Sequence, residues 1–199
     1  MKQFESLTDE QLALLYVEGN NKAFDELLVR TQEQLFTYIM FVVRDHDLAD
    51  DIFQETFVKA IVWLQEGRYT NSGKIMFWLT RIAHNVIMDT YRQVRTEHVV
   101  DLPDDNNLSN LKGAEVLDTW RESQLVNEQV LNDVKKMMEA LPATQREVVY
   151  MRFFQELSFK EIAEATGVSI NTALGRMRYA MINLRKMAKV HNIELALTC

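Results

Sequence analysis

Residues Ser158 to Arg178, SFKEIAEATGVSINTALGRMR, constrain the fold of this chain more than any other stretch. Ser158 is a good N-cap and Glu161 stands at the capping-box position, so a short helix carrying Ile162, Ala163 and Ala165 opens there. Gly167 follows, where a chain leaving a helix needs a residue tolerant of positive φ. Ser169 then caps a second helix, whose apolar positions Leu174, Met177, Met181 and Leu184 recur at spacings of three and four. Two helices joined by a short Gly-containing turn form a helix-turn-helix, a motif whose second helix can enter the major groove of DNA. Arg176, Arg178, Arg185, Lys186 and Lys189 supply the positive charge that phosphate contact requires. The same spacing also serves plain helix packing with a solvated basic face, and the motif alone leaves both readings open.

The net charge of -7 argues against a nucleic-acid partner only while it is treated as uniform. Residues 1–60 hold 5 Lys/Arg against 12 Asp/Glu, and residues 98–134 hold 2 against 8. Residues 61–97 hold 5 against 3, and residues 135–199 hold 10 against 6. Two basic segments therefore alternate with two acidic ones, an asymmetry more informative than the total. The single cysteine, Cys199, excludes a disulfide framework and a cysteine-based zinc site. The polar, acidic start MKQFESLTDEQL does not read as a signal peptide, and no apolar run approaches a membrane span. The expected location is cytoplasmic, without direct membrane insertion.

The remaining chain is expected to be all-α. Thr8 caps a helix with Leu12, Leu15 and Tyr16, with Asp9 and Glu10 favourably placed in its first turn. A second helix, about Asn21 to Arg44, buries Phe24, Leu27, Leu28, Leu35, Ile39 and Val42. Asp47 is expected to cap a third, ending at Gly67, with the stripe Ile52, Phe53, Thr56, Phe57, Ala60, Ile61 and Leu64. After the break GRYTNSGK, Gly67 to Lys74, a fourth helix runs to about Arg95 through Phe77, Trp78, Ile82, Ala83, Val86 and Ile87. No proline interrupts these four helices. From Thr96 the composition changes: HVVDLPDDNNLS has Pro103, acids and no periodic apolar face. The expected organisation is a helical domain over 1–97, a flexible acidic linker over 98–121 and a second helical domain over 122–199. In the latter, Pro142 precedes a helix with Val148, Val149, Tyr150 and Phe153.

Catalytic chemistry is not expected. No phosphate-binding GxxxxGK[ST] or GxGxxG motif occurs, and His46, His84, His98 and His191 lack ligand spacing. Neither a cofactor, a metal nor a small-molecule substrate is anticipated.

The segments DLADDIFQETFVKA (Asp47 to Ala60) and FWLTRIAHNVIMDTYR (Phe77 to Arg92) resemble region 2 of the bacterial sigma factors. Leu141 to Arg185, beginning LPATQREVVYMRFFQ, resembles region 4. Their order and spacing resemble the minimal, extracytoplasmic-function type of the sigma-70 family. The resemblance implies a promoter-specificity subunit whose partners are core RNA polymerase, promoter DNA and an anti-sigma factor.

By that resemblance, Asp50, Asp51, Gln54 and Glu55 dock on the polymerase, although a solvated face would carry the same acids. Tyr69, Asn71, Ser72 and Lys74 in the loop, with Arg81, Asn85 and Arg92 on the fourth helix, hold the unpaired minus-ten element. Trp78 is assigned to the core. Ser169, Asn171, Thr172, Arg176 and Arg178 meet the minus-thirty-five duplex, Asn suiting adenine and Arg guanine. Leu174 and Gly175 depart from the Lys and Ser common at these positions in the family, so the target sequence does not follow. Asp101, Asp104 and Asp105 in the linker mimic a polyanion in the polymerase channels or form a plain tether. An operator-binding homodimeric regulator and a helical protein that binds no DNA are the competing classes.

Overall fold

The computed structural model describes residues 4–69, 73–97 and 134–190. Helices follow one another as α1 (Asp9–Val17), α2 (Asn21–Val43), α3 (His46–Gln65), α4 (Ile75–Glu97), helical residues 134–139 (α5), α6 (Ala143–Phe153), α7 (Phe159–Thr166) and α8 (Ile170–Val190). No strand occurs among the described residues. The chain divides into two compact units, with α1 to α4 in one and α6 and α8 in the other.

In the first unit, capping chemistry sets where each helix begins. Thr8 Oγ1 accepts from Gln11 N at 3.3 Å, and Gln11 Oε1 accepts from Thr8 N at 2.8 Å, a reciprocal capping box at the start of α1. α2 ends one residue short of expectation, because Arg44 takes a left-handed conformation with φ 63°. The next helix then starts early. Asp45, not Asp47, is the N-cap of α3, its Oδ1 accepting from Leu48 N at 3.0 Å, and Asp47 falls in the first turn. α3 closes at Gln65, followed by Gly67 at φ 69°.

Apolar stripes then pack α1 on α2, α2 on α3 and α4, and α3 on α4. Leu12, Leu27, Leu35, Tyr38, Ile39, Ile52, Leu64, Leu79, Ile82 and Ile87 are fully buried. Each such aliphatic side chain contributes about 1.5–3 kcal/mol relative to an exposed one. Buried Thr31 and Thr56 satisfy their hydroxyls by donating to Leu27 O and Ile52 O one turn back. Aromatic edges run through the unit from Tyr16 to Phe24, Phe57, Phe53 and Phe36. Arg30 ties down the segment ahead of α1, donating to Phe4 O and Leu7 O at 2.8 Å while pairing with Glu26 at 2.8 Å and Asp9 at 3.4 Å. The Glu26 hydrogen bond, then that of Asp9, raises the guanidinium pKa above its ordinary value despite opposing desolvation.

In the second unit Pro142 is the N-cap of α6. Buried Arg146 reaches back to Glu139 O at 2.8 Å and Leu141 O at 3.1 Å, closing the turn between α5 and α6. α6 packs on α8, and Val148, Val149 and Met151 of α6 and Ala180, Met181 and Leu184 of α8 are all buried. Phe153, three and four residues beyond buried Tyr150 and Val149 and so on their face of the helix, is 60% exposed at the last position of α6.

Candidate functional site

Three surfaces collect the residues singled out in the sequence. The first lies on α3. Asp51, Gln54 and Glu55 are exposed, joined by Asp47. Asp50 is half-buried and turns toward His46, whose Nδ1 lies 3.1 Å from Asp50 Oδ2, while Glu55 pairs with Lys59 at 2.7 Å. His46 is held edge-on by Phe36 at 5.6 Å. Val58, 60% exposed, and Val62, 42% exposed, continue the same stripe at seven and eleven residues beyond Asp51. They went unnoticed in the sequence, where the helical offset from Asp51 was the available signal. The face is thus acidic with an apolar continuation, suited to a basic partner that also buries aliphatic surface.

The second surface surrounds the end of α3 and the start of α4. Lys74, Arg81, Asn85 and Arg92 are exposed, and at 3.6 residues per turn they fall on one side of α4. Arg92 is oriented by Asp89 at 2.7 Å. Trp78 lies on that same side and is only half-buried, which corrects its assignment to the core. Its ring sits 5.0 Å from Tyr69 and 6.5 Å from Trp63, and the Arg68 guanidinium lies 5.7 Å over Trp63. Sequence reasoning missed Trp63 and Arg68, although the pair WLQEGR frames the glycine that ends the helix. Asn71 and Ser72 lie outside the described residues. What remains is a surface of aromatic faces and cations, chemistry that stacks bases and holds phosphates.

The third surface is the helix-turn-helix. Ser158 N donates to Glu161 Oε2 at 2.8 Å and Glu161 N to Ser158 Oγ at 3.3 Å, completing the expected capping box of α7. Gly167 takes φ 65°, as the turn requires. Ser169 Oγ accepts from Thr172 N at 3.0 Å and lies 2.9 Å from Thr172 Oγ1, so both hydroxyls serve the start of α8. Ala173, Met177, Ala180, Met181, Leu184 and Ala188 form its buried stripe.

Leu174, expected in that stripe, is 43% exposed instead, because it stands at the rim beside Asn171 and Arg178. Asn171, Gly175 and Arg178 share the outward face, with Arg185, Lys186 and Lys189 exposed further along. Arg176 is separated from Arg178, since two positions on a helix point to nearly opposite sides, and it is half-buried on the flank with Thr172. A side chain at Gly175 would meet nothing within 4 Å.

Among the described residues no group of His, Cys, Asp and Glu could hold a metal ion, and no helix is long and apolar enough to cross a membrane.

The family Sigma-70 region 2 matches residues 27–97, and Sigma-70, region 4 matches residues 131–178. The chain is 29% identical over 163 residues to RNA polymerase sigma factor SigZ of Bacillus subtilis (strain 168), covering 82% of this chain and 85% of that protein. It is 28% identical over 177 residues to the ECF RNA polymerase sigma-E factor of Salmonella typhimurium (strain LT2), covering 87% and 90%. Its fold is similar to that of the sigma factor RpoE in complex with the anti-sigma factor NepR from Bartonella quintana, with a TM-score of 0.60 and 23% identity over 85% of this chain and 98% of that one. It is also similar to that of CnrH in complex with the cytosolic domain of CnrY, with a TM-score of 0.59 and 23% identity over 92% and 97%.

Proposed function

Because the chain belongs to the sigma-70 family of RNA polymerase sigma factors, in its extracytoplasmic-function class, we propose that its three surfaces divide the work of initiation among polymerase, melted DNA and duplex DNA. The protein directs core RNA polymerase to promoters and is a non-catalytic initiation factor. Residues 1–97 form the part that docks on polymerase and captures the minus-ten element, 98–121 the linker and 122–199 the part that reads the minus-thirty-five element.

Asp50, Asp51, Gln54 and Glu55 dock on a basic element of the polymerase. The exposed valines beside them add apolar area to a contact that charge alone would leave salt-sensitive. Tyr69, Lys74, Arg81, Asn85 and Arg92, with Trp78 beside them, receive unpaired minus-ten bases, and Asn71 and Ser72 belong to the same loop by sequence. Capture of those bases offsets the cost of unstacking them. Ser169, Asn171, Thr172, Arg176 and Arg178 meet the minus-thirty-five duplex. Work of this kind takes place in the cytoplasm. A protein inhibitor holds the factor at rest, by analogy with the RpoE–NepR complex.

The observation that carries the reading is the order of the two matched regions on one chain, each bearing an exposed face of the chemistry its role requires. Its test is a pull-down of purified bacterial core polymerase by the wild type and by a variant carrying Asp51→Lys and Glu55→Lys. Retention by wild type and loss in the variant is expected. Retention by both would move the docking face off α3, and failure of the wild type would favour an operator-binding regulator.

A further inference from the structure

Asp9 and Glu10 stand side by side in the first turn of α1, where either would favour the helix dipole. The fold gives them different work. Asp9 turns to Arg30, whereas Glu10 reaches across to the start of α4. Glu10 Oε1 accepts from the Tyr69 hydroxyl at 3.0 Å and from the Ile75 backbone N–H at 2.5 Å. One carboxylate oxygen therefore binds a residue four positions past the end of α3 and the first residue of α4.

Ile75 N–H is one of the donors that a helix start leaves without an intrahelical acceptor, so Glu10 acts as its cap from 65 positions away in sequence. The bond is charge-assisted and near a helix N-terminus, where an anion is favoured. Tyr69 is fixed at its other end by the Trp78 ring, 5.0 Å away. Lys74 directly precedes the capped residue.

We infer that Glu10 is a positioning residue for the minus-ten-reading surface: it sets Tyr69, Trp78 and the first turn of α4 in place before unpaired DNA arrives. The inference rests on the reading of that surface proposed above. Glu10 is not needed to hold α1 itself. That helix is anchored by Leu12, Ala13 and Tyr16, all buried, and by the bond from Gln65 Nε2 to the Tyr16 hydroxyl at 2.8 Å. Removing the carboxylate frees Tyr69 and the α4 start to sample other arrangements, and DNA then bears the entropy of ordering them.

The test uses the full chain assembled with bacterial core polymerase, as wild type, Glu10→Ala, Glu10→Gln and Tyr69→Ala. Three affinities are measured: for core, for a duplex limited to the minus-thirty-five element, and for a single-stranded oligonucleotide with the minus-ten element. Both elements come from a promoter selected by the wild-type holoenzyme from a random pool. Glu10→Ala is expected to weaken single-strand binding about tenfold, the scale of one charge-assisted hydrogen bond, with the other two affinities unchanged. Glu10→Gln keeps an acceptor oxygen and recovers most of the loss. Wild-type single-strand affinity in Glu10→Ala overturns the positioning role alone, and so does an equal loss in all three assays, which marks a general folding defect. A wild type that fails to prefer the minus-ten strand over a scrambled one, or a Tyr69→Ala without effect, overturns the surface assignment as well.

Discussion

Asn183 Nδ2 donates to Gln145 Oε1 at 2.9 Å in a buried bond that links α8 to α6. The apolar contacts between these helices are non-directional, so they fix distance better than rotation. A buried amide pair does fix rotation, and with it the direction in which Asn171 and Arg178 face. Gln145→Ala is expected to cost about 1–3 kcal/mol, since it leaves the buried Asn183 amide without that acceptor. Urea denaturation of Gln145→Ala, Asn183→Ala and the double variant gives the coupling energy. A coupling below about 0.5 kcal/mol, the usual error of additivity, would remove this pair as the orienting device.

Gly175 separates stability from recognition. It lies inside α8, where glycine costs about 0.5–1 kcal/mol relative to alanine, yet no positive φ and no neighbour requires it. The missing Cβ is on the outward face between Asn171 and Arg178. Gly175→Ala should therefore raise the urea midpoint while weakening minus-thirty-five duplex binding by the holoenzyme. An alanine variant that is both more stable and equally tight would show that DNA does not approach the helix backbone there.

Much of this was legible because it is local. The helical stripes, the caps at Thr8, Ser158 and Ser169 and the left-handed Gly167 depend on residues within a few positions of one another. Asp45 and Asp47 show where locality fails. Both are good caps, and the choice follows from the preceding helix ending in a left-handed Arg44. Trp78 was misplaced because a half-buried ring at the rim has the same spacing as a core one. Leu174 shares that ambiguity. The reach of Glu10 to Tyr69 and Ile75, and of Arg30 to Phe4 and Leu7, spans distant positions and has no periodic signature.

Arg176 and Arg178 should report different kinds of contact. Arg178 shares the outward face with Asn171, so Arg178→Ala is expected to cost about 1–3 kcal/mol at one base pair and to relax discrimination there. Arg176 lies on the flank with Thr172, the direction of a phosphate strand when the outward face is in the groove. Arg176→Ala should weaken all sequences alike and reduce the salt slope by about 0.9. Titrations of holoenzyme with minus-thirty-five duplexes and single-base variants, at several salt concentrations, distinguish the two. Exchanged phenotypes would mean that α8 enters the groove rotated from the face described.

Tyr150 gives the second unit an alkaline limit. It is 5% exposed and stacks on Phe154 at 5.1 Å, and burial pushes its phenol pKa above the ordinary value. In the unfolded chain the phenol ionises near about pH 10, while the folded protein still holds it neutral. The unfolded state then binds fewer protons, so this contribution to stability is complete below about pH 10 and declines as pH rises toward the raised folded value. Tyr150→Phe cannot ionise and loses nothing by this route. Urea midpoints of wild type and Tyr150→Phe should run parallel up to about pH 10 and diverge above it, with wild type falling faster. Lysines titrate in the same range but are common to both proteins and cancel in the difference. Curves that remain parallel at high pH would mean that the phenol ionises as readily in the folded chain as in the unfolded one.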